Sequence, residues 1–512
     1  MIEPERAVTG RLDGLDPTVP SGNGSVPSVY APRPGTIPTL PVPDPAAWRR
    51  LHLVGIGGAG MRNVARLLLA RGIEVTGSDL KDSAALDDLR AHGATVFIGH
   101  RAEQVGRPDA VVISTAVPAT NPEVRRAADD ATPVLARAQV LTALTRGSRL
   151  VAVGGTHGKT TTTSMFSVIA RRGGLRPTYV IGGDLNESGS GAEHGDGEVF
   201  VVEADESDGS FLLLEPAVAL ITNVEADHLN FYRDAAEVEA AFAAFAERSG
   251  AVVAYWDDGG VRRSLAGYGG TILRYGEGVD VDVRVRGIEP GAAGVRATLV
   301  VDGAPVEVRL DIPGRHNVLN AAASVAVARL LGVDVPTAVG ALATFGGVRR
   351  RFEIRGVANG AVYVDDYAHH PTEILTALDI AAGVRAQDPS VHRVIAVCQP
   401  HRYSRMQVMW RQTGESLVGA DLAVVTDIYG AHEAPVPGLT GKLVVHALAD
   451  VAPGKRIVYL PHRADVAPYL ASHAGRGDLV VTLGCGDIGG VIGETFQLVE
   501  ERHGGRAVDR RR

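Results

Sequence analysis

The sequence has no uninterrupted apolar run approaching the roughly 18–20 residues that a bilayer-crossing helix needs, and this excludes a helical membrane span. Cysteine is nearly missing. Cys398 and Cys485 are the only two, they lie far apart, and they match no zinc-binding spacing. Such usage predicts a reducing compartment and no disulfide. Positive charge is not in excess: 51 Lys and Arg face 59 Asp and Glu, a net charge of -8. That balance argues against a nucleic-acid partner, whose binding domains are usually basic. A local anion site remains compatible with an acidic chain, because backbone N–H groups can build one. No basic segment followed by an apolar stretch opens the sequence, so no secretory signal is expected and the cytoplasm is the expected location. Lysine is scarce as well, limited to Lys81, Lys159, Lys442 and Lys455.

What remains is ordinary for a soluble globular protein: 45% hydrophobic, 21% charged, mean hydropathy +0.07. At about 150 residues per domain, 512 residues predict about three domains. Residues 1–47 hold ten of the 28 prolines among Gly, Ser and Thr, and are expected to be a disordered tail. Apolar strand candidates then alternate with helical stretches. Residues 51–54, 74–79 and 111–114 define a first unit, 48–148; residues 150–153, 199–202 and 218–221 a second, 149–346. A third, 347–500, carries strand candidates at 362–364, 394–397, 422–425 and 479–482, with 501–512 as a frayed Arg-rich end. Strands alternating with helices predict α/β domains with parallel sheets. Alternating polarity over 281–312 predicts an antiparallel patch, and an Ala-rich stretch from Asn317 to Leu331 a helix.

The strongest chemical signal is Gly154-Gly155-Thr156-His157-Gly158-Lys159-Thr160-Thr161, between a predicted strand and a predicted helix. A phosphate there meets several N–H groups and the positive end of the helix dipole. Lys159 can reach β and γ phosphates and the Thr160 hydroxyl can hold Mg²⁺. Only the Gly-Lys-Thr end fits the P-loop template, since Val153 stands where it has its first glycine. The acidic run Glu203 to Asp208 follows another strand of the same unit, where a carboxylate can hold Mg²⁺ beside a triphosphate. Asp227-His228, after the strand 218–221, reads either as a further ligand or as a structural histidine.

Gly55-Ile56-Gly57-Gly58-Ala59-Gly60-Met61 is a G-x-G-x-x-G turn with Asp79 ending the next strand. It accommodates a nucleotide diphosphate, and by itself leaves an NAD-dependent dehydrogenase open. In the last third, Arg349-Arg350-Arg351, Asp365 to Pro371, and His401-Arg402-Tyr403-Ser404-Arg405 gather Arg and His beyond strand ends, suited to phosphate and carboxylate recognition.

In series, Gly155 to Thr161, Glu203 to Phe211, Asn223 to Asn230, His316 to Asn320, Arg350 to Glu353 and Asp365 to Pro371 resemble the Mur ligases, over about residues 50–495. His52 to Met61 resembles the opening motif of the alanine-adding branch. The resemblance implies three α/β domains: Rossmann-like for the UDP-sugar, P-loop ATPase-like for ATP, and a Rossmann-like closing domain. It implies ATP-dependent joining of L-alanine to the lactyl carboxylate of UDP-N-acetylmuramate through an acyl phosphate. That places the chain in peptidoglycan synthesis, hence cell-wall biogenesis, cell shape and cell division. A ligase that recycles a preformed tripeptide onto UDP-N-acetylmuramate is the nearest rival. ATP and Mg²⁺ are the implied cofactors, and the protein is expected as a monomer or weak homodimer.

By position, the resemblance assigns ATP to Gly155, Thr156, His157, Gly158, Lys159, Thr160, Thr161, Asn317, Asn320, Arg351 and Asp365, and metal to Thr160, Glu203 and His228. UDP-muramate and alanine fall to Gly57, Gly58, Ala59, Gly60, Ser78, Asp79, His100, Ser114, Thr115, Ala116, Arg137, Tyr367, His369, His401, Arg402 and Arg405. Lys159, Glu203, His228, Arg351 and His369 carry the catalytic roles. Two departures stand out: the Pro-rich start, and Cys485 where the family commonly has alanine. Later-acting branches use a carbamylated lysine in the central domain, and this chain has no lysine there after Lys159.

Overall fold

The structure, a computed structural model, describes residues 42–503 except 187, 230, 292–293 and 432, together with Val508–Asp509. The tail expected over 1–47 and the frayed end expected over 501–512 therefore fall largely outside the described residues.

Three sheets follow one another along the chain. The first is all parallel, with β1 (Arg50–Val54), β2 (Glu74–Asp79), β3 (Thr95–Ile98), β4 (Ala110–Ile113) and β5 (Val134–Ala136) in the order β3-β2-β1-β4-β5. The order reverses between β1 and β4, which opens a crevice beyond their carboxyl ends. Glycines 55 to 60 and Ser114-Thr115 leave the sheet there.

The second sheet has ten strands: β6 (Arg149–Gly154), β7 (Thr178–Val180), β8 (Ala192–Glu193), β9 (Val199–Glu203), β10 (Val218–Ile221), β11 (Ala251–Tyr255), β12 (Thr271–Gly276), β13 (Val283–Pro290), β14 (Val295–Val301) and β15 (Ala304–Leu310). Their order is β15-β14-β13-β12-β11-β10-β6-β9-β7-β8. The strand before the glycine-rich loop, β6, lies between parallel neighbours β9 and β10, so three strand ends converge on one point. The patch expected over 281–312 is antiparallel, formed by β13, β14 and β15.

The third sheet contains β16 (Glu353–Ala358), β17 (Ala361–Asp366), β18 (Arg393–Cys398), β19 (Leu422–Val425), β20 (Arg456–Tyr459), β21 (Asp478–Leu483) and β22 (Val508–Asp509), in the order β20-β19-β18-β21-β17-β16-β22. From β20 to β17 it is parallel, and the loops after β17, β18 and β21 leave the same edge side by side.

One apolar core runs from the first unit into one face of the second sheet, joining Leu51, Leu53 and Met61 to Phe211, Phe242 and Phe245. The other face of that sheet packs on the helix Arg315–Leu330. Twelve of that helix's residues are buried, and its alanines combine high helix propensity with side chains small enough for close approach to the helix Lys159–Arg172. The third sheet has two cores of its own. What crosses to it from the second unit includes many polar contacts: Thr372 Oγ1 donates to Glu225 at 3.0 Å and Arg405 Nη2 to Asp227 at 3.3 Å. A polar contact surface of this kind permits domain movement.

Candidate active site

The glycine-rich loop is shaped by the neighbouring strand end. Asn223 accepts the His157 N–H through Oδ1 at 2.8 Å and the Thr156 N–H through its carbonyl at 3.0 Å. Thr222 Oγ1 donates to the His157 carbonyl at 2.6 Å. Gly158 has φ +84°, and a Cβ there would sit 3.0 Å from Asn320 Oδ1, so strain and crowding both favour glycine.

Lys159 curls back over the loop, donating to the Gly155 carbonyl at 2.6 Å and to both carboxylate oxygens of buried Glu206 at 2.8 and 2.9 Å. Burial opposes its charge, but Glu206, Asp205 and Glu203 hold its pKa above the usual value. Thr160 Oγ1 donates to Glu203 Oε1 at 3.0 Å, while Oε2 accepts the Gly182 N–H at 2.7 Å. His228, at φ +56°, places Nε2 3.5 Å from Glu206 Oε1. Burial disfavours its cationic form, which Glu206 and Asp227 restore. Burial likewise would raise Asp227, yet His228 and Arg405 hold it well below the usual carboxylate range. A carboxylate beside a hydroxyl is the oxygen-donor chemistry that a hard dication requires, so Thr160 and Glu203 fit Mg²⁺, while Asp205 and Glu206 gather around the neighbouring Lys159.

Three adjoining clefts meet here. The first, about 1000 Å³, is bounded by the glycine-rich loop, Tyr255, Tyr275, His316, Asn317, Asn320, Arg351 and Asp366. The second, about 1300 Å³, contains Lys159, Thr160, Glu203, His228, Arg351, Tyr367 and His369. They share His157, Gly158, Thr160, Arg351 and Glu373. The third, about 590 Å³, lies between Gly58, Ala59, Gly60, Ser114, Thr115, Arg137, Asp208 and Ser210, and shares Gly60, Arg137, Ala138 and Ser210 with the second. A Cβ on Gly60 would fall 2.0 Å from an Arg137 nitrogen, so glycine leaves the guanidinium room to lie where it does. Of three histidines lining the second cleft, burial pushes His369 down to about 4, whereas carboxylate neighbours raise His157 to about 9 and also raise His228.

Two assigned side chains lie away from the clefts. Ser78 is fully buried and donates to Glu123 at 2.6 Å, with His100 Nδ1 2.9 Å from its hydroxyl; it faces no cleft. Asp365 is 1% exposed, receiving Arg350 Nε at 3.2 Å and Thr482 Oγ1 at 2.7 Å, and it is Asp366 that borders the first cleft. Adjacent strand residues face opposite sides, so only one of the two can face that cleft. Asp79 and Gly57 satisfy each other, the N–H donating at 2.9 Å. Gly155, Ala116, His401, Arg402 and Arg405 border none of the three clefts; His401 stacks on Tyr429, and Arg405 spans to Asp227. Glu206, Asp208, Asp366 and Glu373 were not assigned from sequence. The acidic run was visible, but not which member faced Lys159.

The chain matches the Mur ligase family, catalytic domain, over residues 50–149, the Mur ligase middle domain over 153–328, and the Mur ligase glutamate ligase domain over 350–486. It belongs to the Mur ligase family. It is 47% identical over 450 residues to a UDP-N-acetylmuramate–L-alanine ligase of Thermobifida fusca, covering 86% of this chain and 94% of that one. A protein of the same name from Saccharopolyspora erythraea is 44% identical, covering 91% and 96%. Among solved structures, UDP-N-acetylmuramate-alanine ligase of Thermotoga maritima superposes with a TM-score of 0.76 at 29% identity, over 88% of this chain and 99% of that one. A murein peptide ligase of Psychrobacter arcticus gives 0.69 at 25%, over 90% and 100%.

Proposed function

We propose that this chain is an ATP-dependent amide-forming ligase that joins L-alanine to the lactyl carboxylate of UDP-N-acetylmuramate. The observation carrying this reading is the continuity of the three clefts. A sugar nucleotide in the third, a triphosphate on the glycine-rich loop with its nucleoside in the first, and an amino acid in the second would bring their reacting ends together beside Lys159 and Arg351.

The carboxylate attacks the γ-phosphorus and ADP departs, leaving an acyl phosphate. The alanine amine attacks the acyl carbon, and phosphate leaves as the amide forms. Lys159, Arg351 and the loop N–H groups stabilise charge on the phosphoryl oxygens. Thr160 and Glu203, with His228 nearby, would hold Mg²⁺, which when bound neutralises phosphate charge. Tyr255, Tyr275, Asn317, Asn320 and Asp366 receive the nucleoside. His369, the neutral imidazole of the second cleft, accepts a proton from the attacking amine. Arg137, Gly58 to Gly60, Ser114 and Thr115 hold the sugar nucleotide.

No described helix is long and apolar enough to cross a membrane. Cytoplasmic action on a soluble nucleotide, as a monomer or weak dimer, accords with that reading. The test is phosphate release with UDP-N-acetylmuramate and each amino acid in turn. L-Alanine should give the highest kcat/KM. A preference for tripeptide in direct competition would assign the recycling reaction instead.

A further inference from the structure

We propose that His369, His401 and Cys485 form a binding site for a thiophilic transition-metal ion, with Zn²⁺ as its type ligand, and that its occupation closes the amino-acid side of the second cleft. The three residues sit on the loops after β17, β18 and β21, which parallel pairing sets side by side at one sheet edge. One donor atom from each lies within 4.8 Å of the other two. In a tetrahedral zinc site with bonds of about 2.0–2.3 Å, donors stand roughly 3.3–3.6 Å apart, so small side-chain rotations complete the shell. Three protein ligands leave a fourth position open.

The imidazoles are prepared for this. His369 Nδ1 stands 3.0 Å from the Tyr367 carbonyl, which fixes the tautomer that leaves Nε2 as the free lone pair. His401 Nδ1 is out of water with no hydrogen-bond partner, while its ring lies flat against Tyr429. The two histidine rings stand 5.5 Å apart and 74° inclined. Burial keeps both neutral, His369 at about 4 and His401 at about 3, and pushes the Cys485 thiol up to about 12. The thiol proton therefore stays until a metal displaces it to solvent. Arg405, Arg350 and Glu373 are the charged groups around the thiol; the arginines favour the thiolate and Glu373 opposes it.

Two nitrogens and a sulfur discriminate against Mg²⁺, for which the second cleft offers oxygen donors at Thr160 and Glu203. Zinc on His369 removes the neutral imidazole from the second cleft. Inhibition thus rests on the proposed reaction, whereas metal binding does not.

Co²⁺ and Zn²⁺ are the probes, added to the full chain in Mg²⁺-free buffer. The wild-type protein should show a near-ultraviolet thiolate-to-cobalt band that one equivalent of Zn²⁺ abolishes. Cys485→Ala should lack the band, need at least about tenfold more Zn²⁺ for half-saturation, and keep its ligation rate in zinc-chelated buffer. Cys485→Ser, with an oxygen donor, should fall between, and melting curves establish that both variants fold. In turnover assays, stoichiometric Zn²⁺ should inhibit wild type and spare Cys485→Ala. No band in the wild type, or one that survives Cys485→Ala, overturns the site. Binding without inhibition overturns its closure of the cleft.

Discussion

Lys159 and Glu206 form a two-pronged ion pair, the ammonium 2.8 and 2.9 Å from the two oxygens of a carboxylate that is 2% exposed. The cation that a triphosphate needs is therefore already matched. On the proposed reading, a bound triphosphate draws Lys159 away and leaves Glu206 to His228, whose Nε2 stands 3.5 Å off.

Lys159→Ala is expected to lower kcat/KM by about 10²–10³-fold or more, the scale for losing one positioned donor. UDP-N-acetylmuramate should bind nearly as before, since the third cleft contains no part of Lys159. Calorimetric titration with the sugar nucleotide, set beside steady-state kinetics, checks this. Equal loss of both in a folded variant would break the assignment of separate clefts.

The same pair marks where sequence reading stopped. Glycines, lysine and hydroxyls of the loop are contiguous, and their chemistry is local, so the loop was legible. Glu206 is 47 residues away, and choosing it over Glu203, Asp205 or Asp208 requires the third dimension. Asp365 and Asp366 pose the opposite problem: adjacent residues on one strand divide between two faces, so the sequence does not tell which one borders the first cleft. Short strands such as β3, β8 and β22 carry too few residues to show a period. His369, His401 and Cys485 come from three loops, so no spacing rule could find them.

His157 ties the loop to the third domain. It lies 3.4 Å from Glu225 and 3.4 Å from Glu373, and although burial opposes its charge these carboxylates raise it to about 9. A cation stabilised by folding contributes fully below its unfolded pKa of about 6.5 and loses that contribution as pH rises through the folded value. Thermal stability should therefore fall between pH 7 and about 9.5, by at most about 3 kcal/mol. His157→Gln should flatten that slope. An unchanged profile in the variant would show that His157 is not the titrating group.

The amino-terminal boundary of the folded body is also testable. Trp48 is buried, Val42 packs on the first core, and Arg146 donates to the Pro43 carbonyl at 3.1 Å. Deleting residues 1–41, whose composition cannot form a core, should leave activity and Tm unchanged. Deleting 1–48 should lower stability by about 3 kcal/mol, the cost of removing a large buried aromatic. A drop with the shorter deletion would place stabilising contacts before residue 42.

The Mg²⁺ site proposed at Thr160 and Glu203 should need no carbon dioxide. A carbamate requires a free lysine amine, and arginine cannot substitute because its guanidinium stays protonated. Lys159 is committed to Glu206 and to the Gly155 and Thr156 carbonyls. Lys455 donates to the Val418 and Ala420 carbonyls, and Lys442 lies over the Tyr459 ring, both in the third domain. Lys81 follows β2 in the first domain. With no further lysine in the chain, carboxylates must supply the charge: Glu203 stands at Thr160, and Asp205 and Glu206 lie around the adjoining Lys159. Ligation in degassed buffer should therefore match ligation with added bicarbonate, and the intact mass should show no carbamate. Glu203→Gln, which keeps the shape and removes a charge, should raise the Mg²⁺ concentration for half-maximal rate by about tenfold or more, since a charge-assisted contact contributes about 1.5–3 kcal/mol. A bicarbonate requirement would move the metal away from Glu203, and an unchanged Mg²⁺ dependence in Glu203→Gln would do the same.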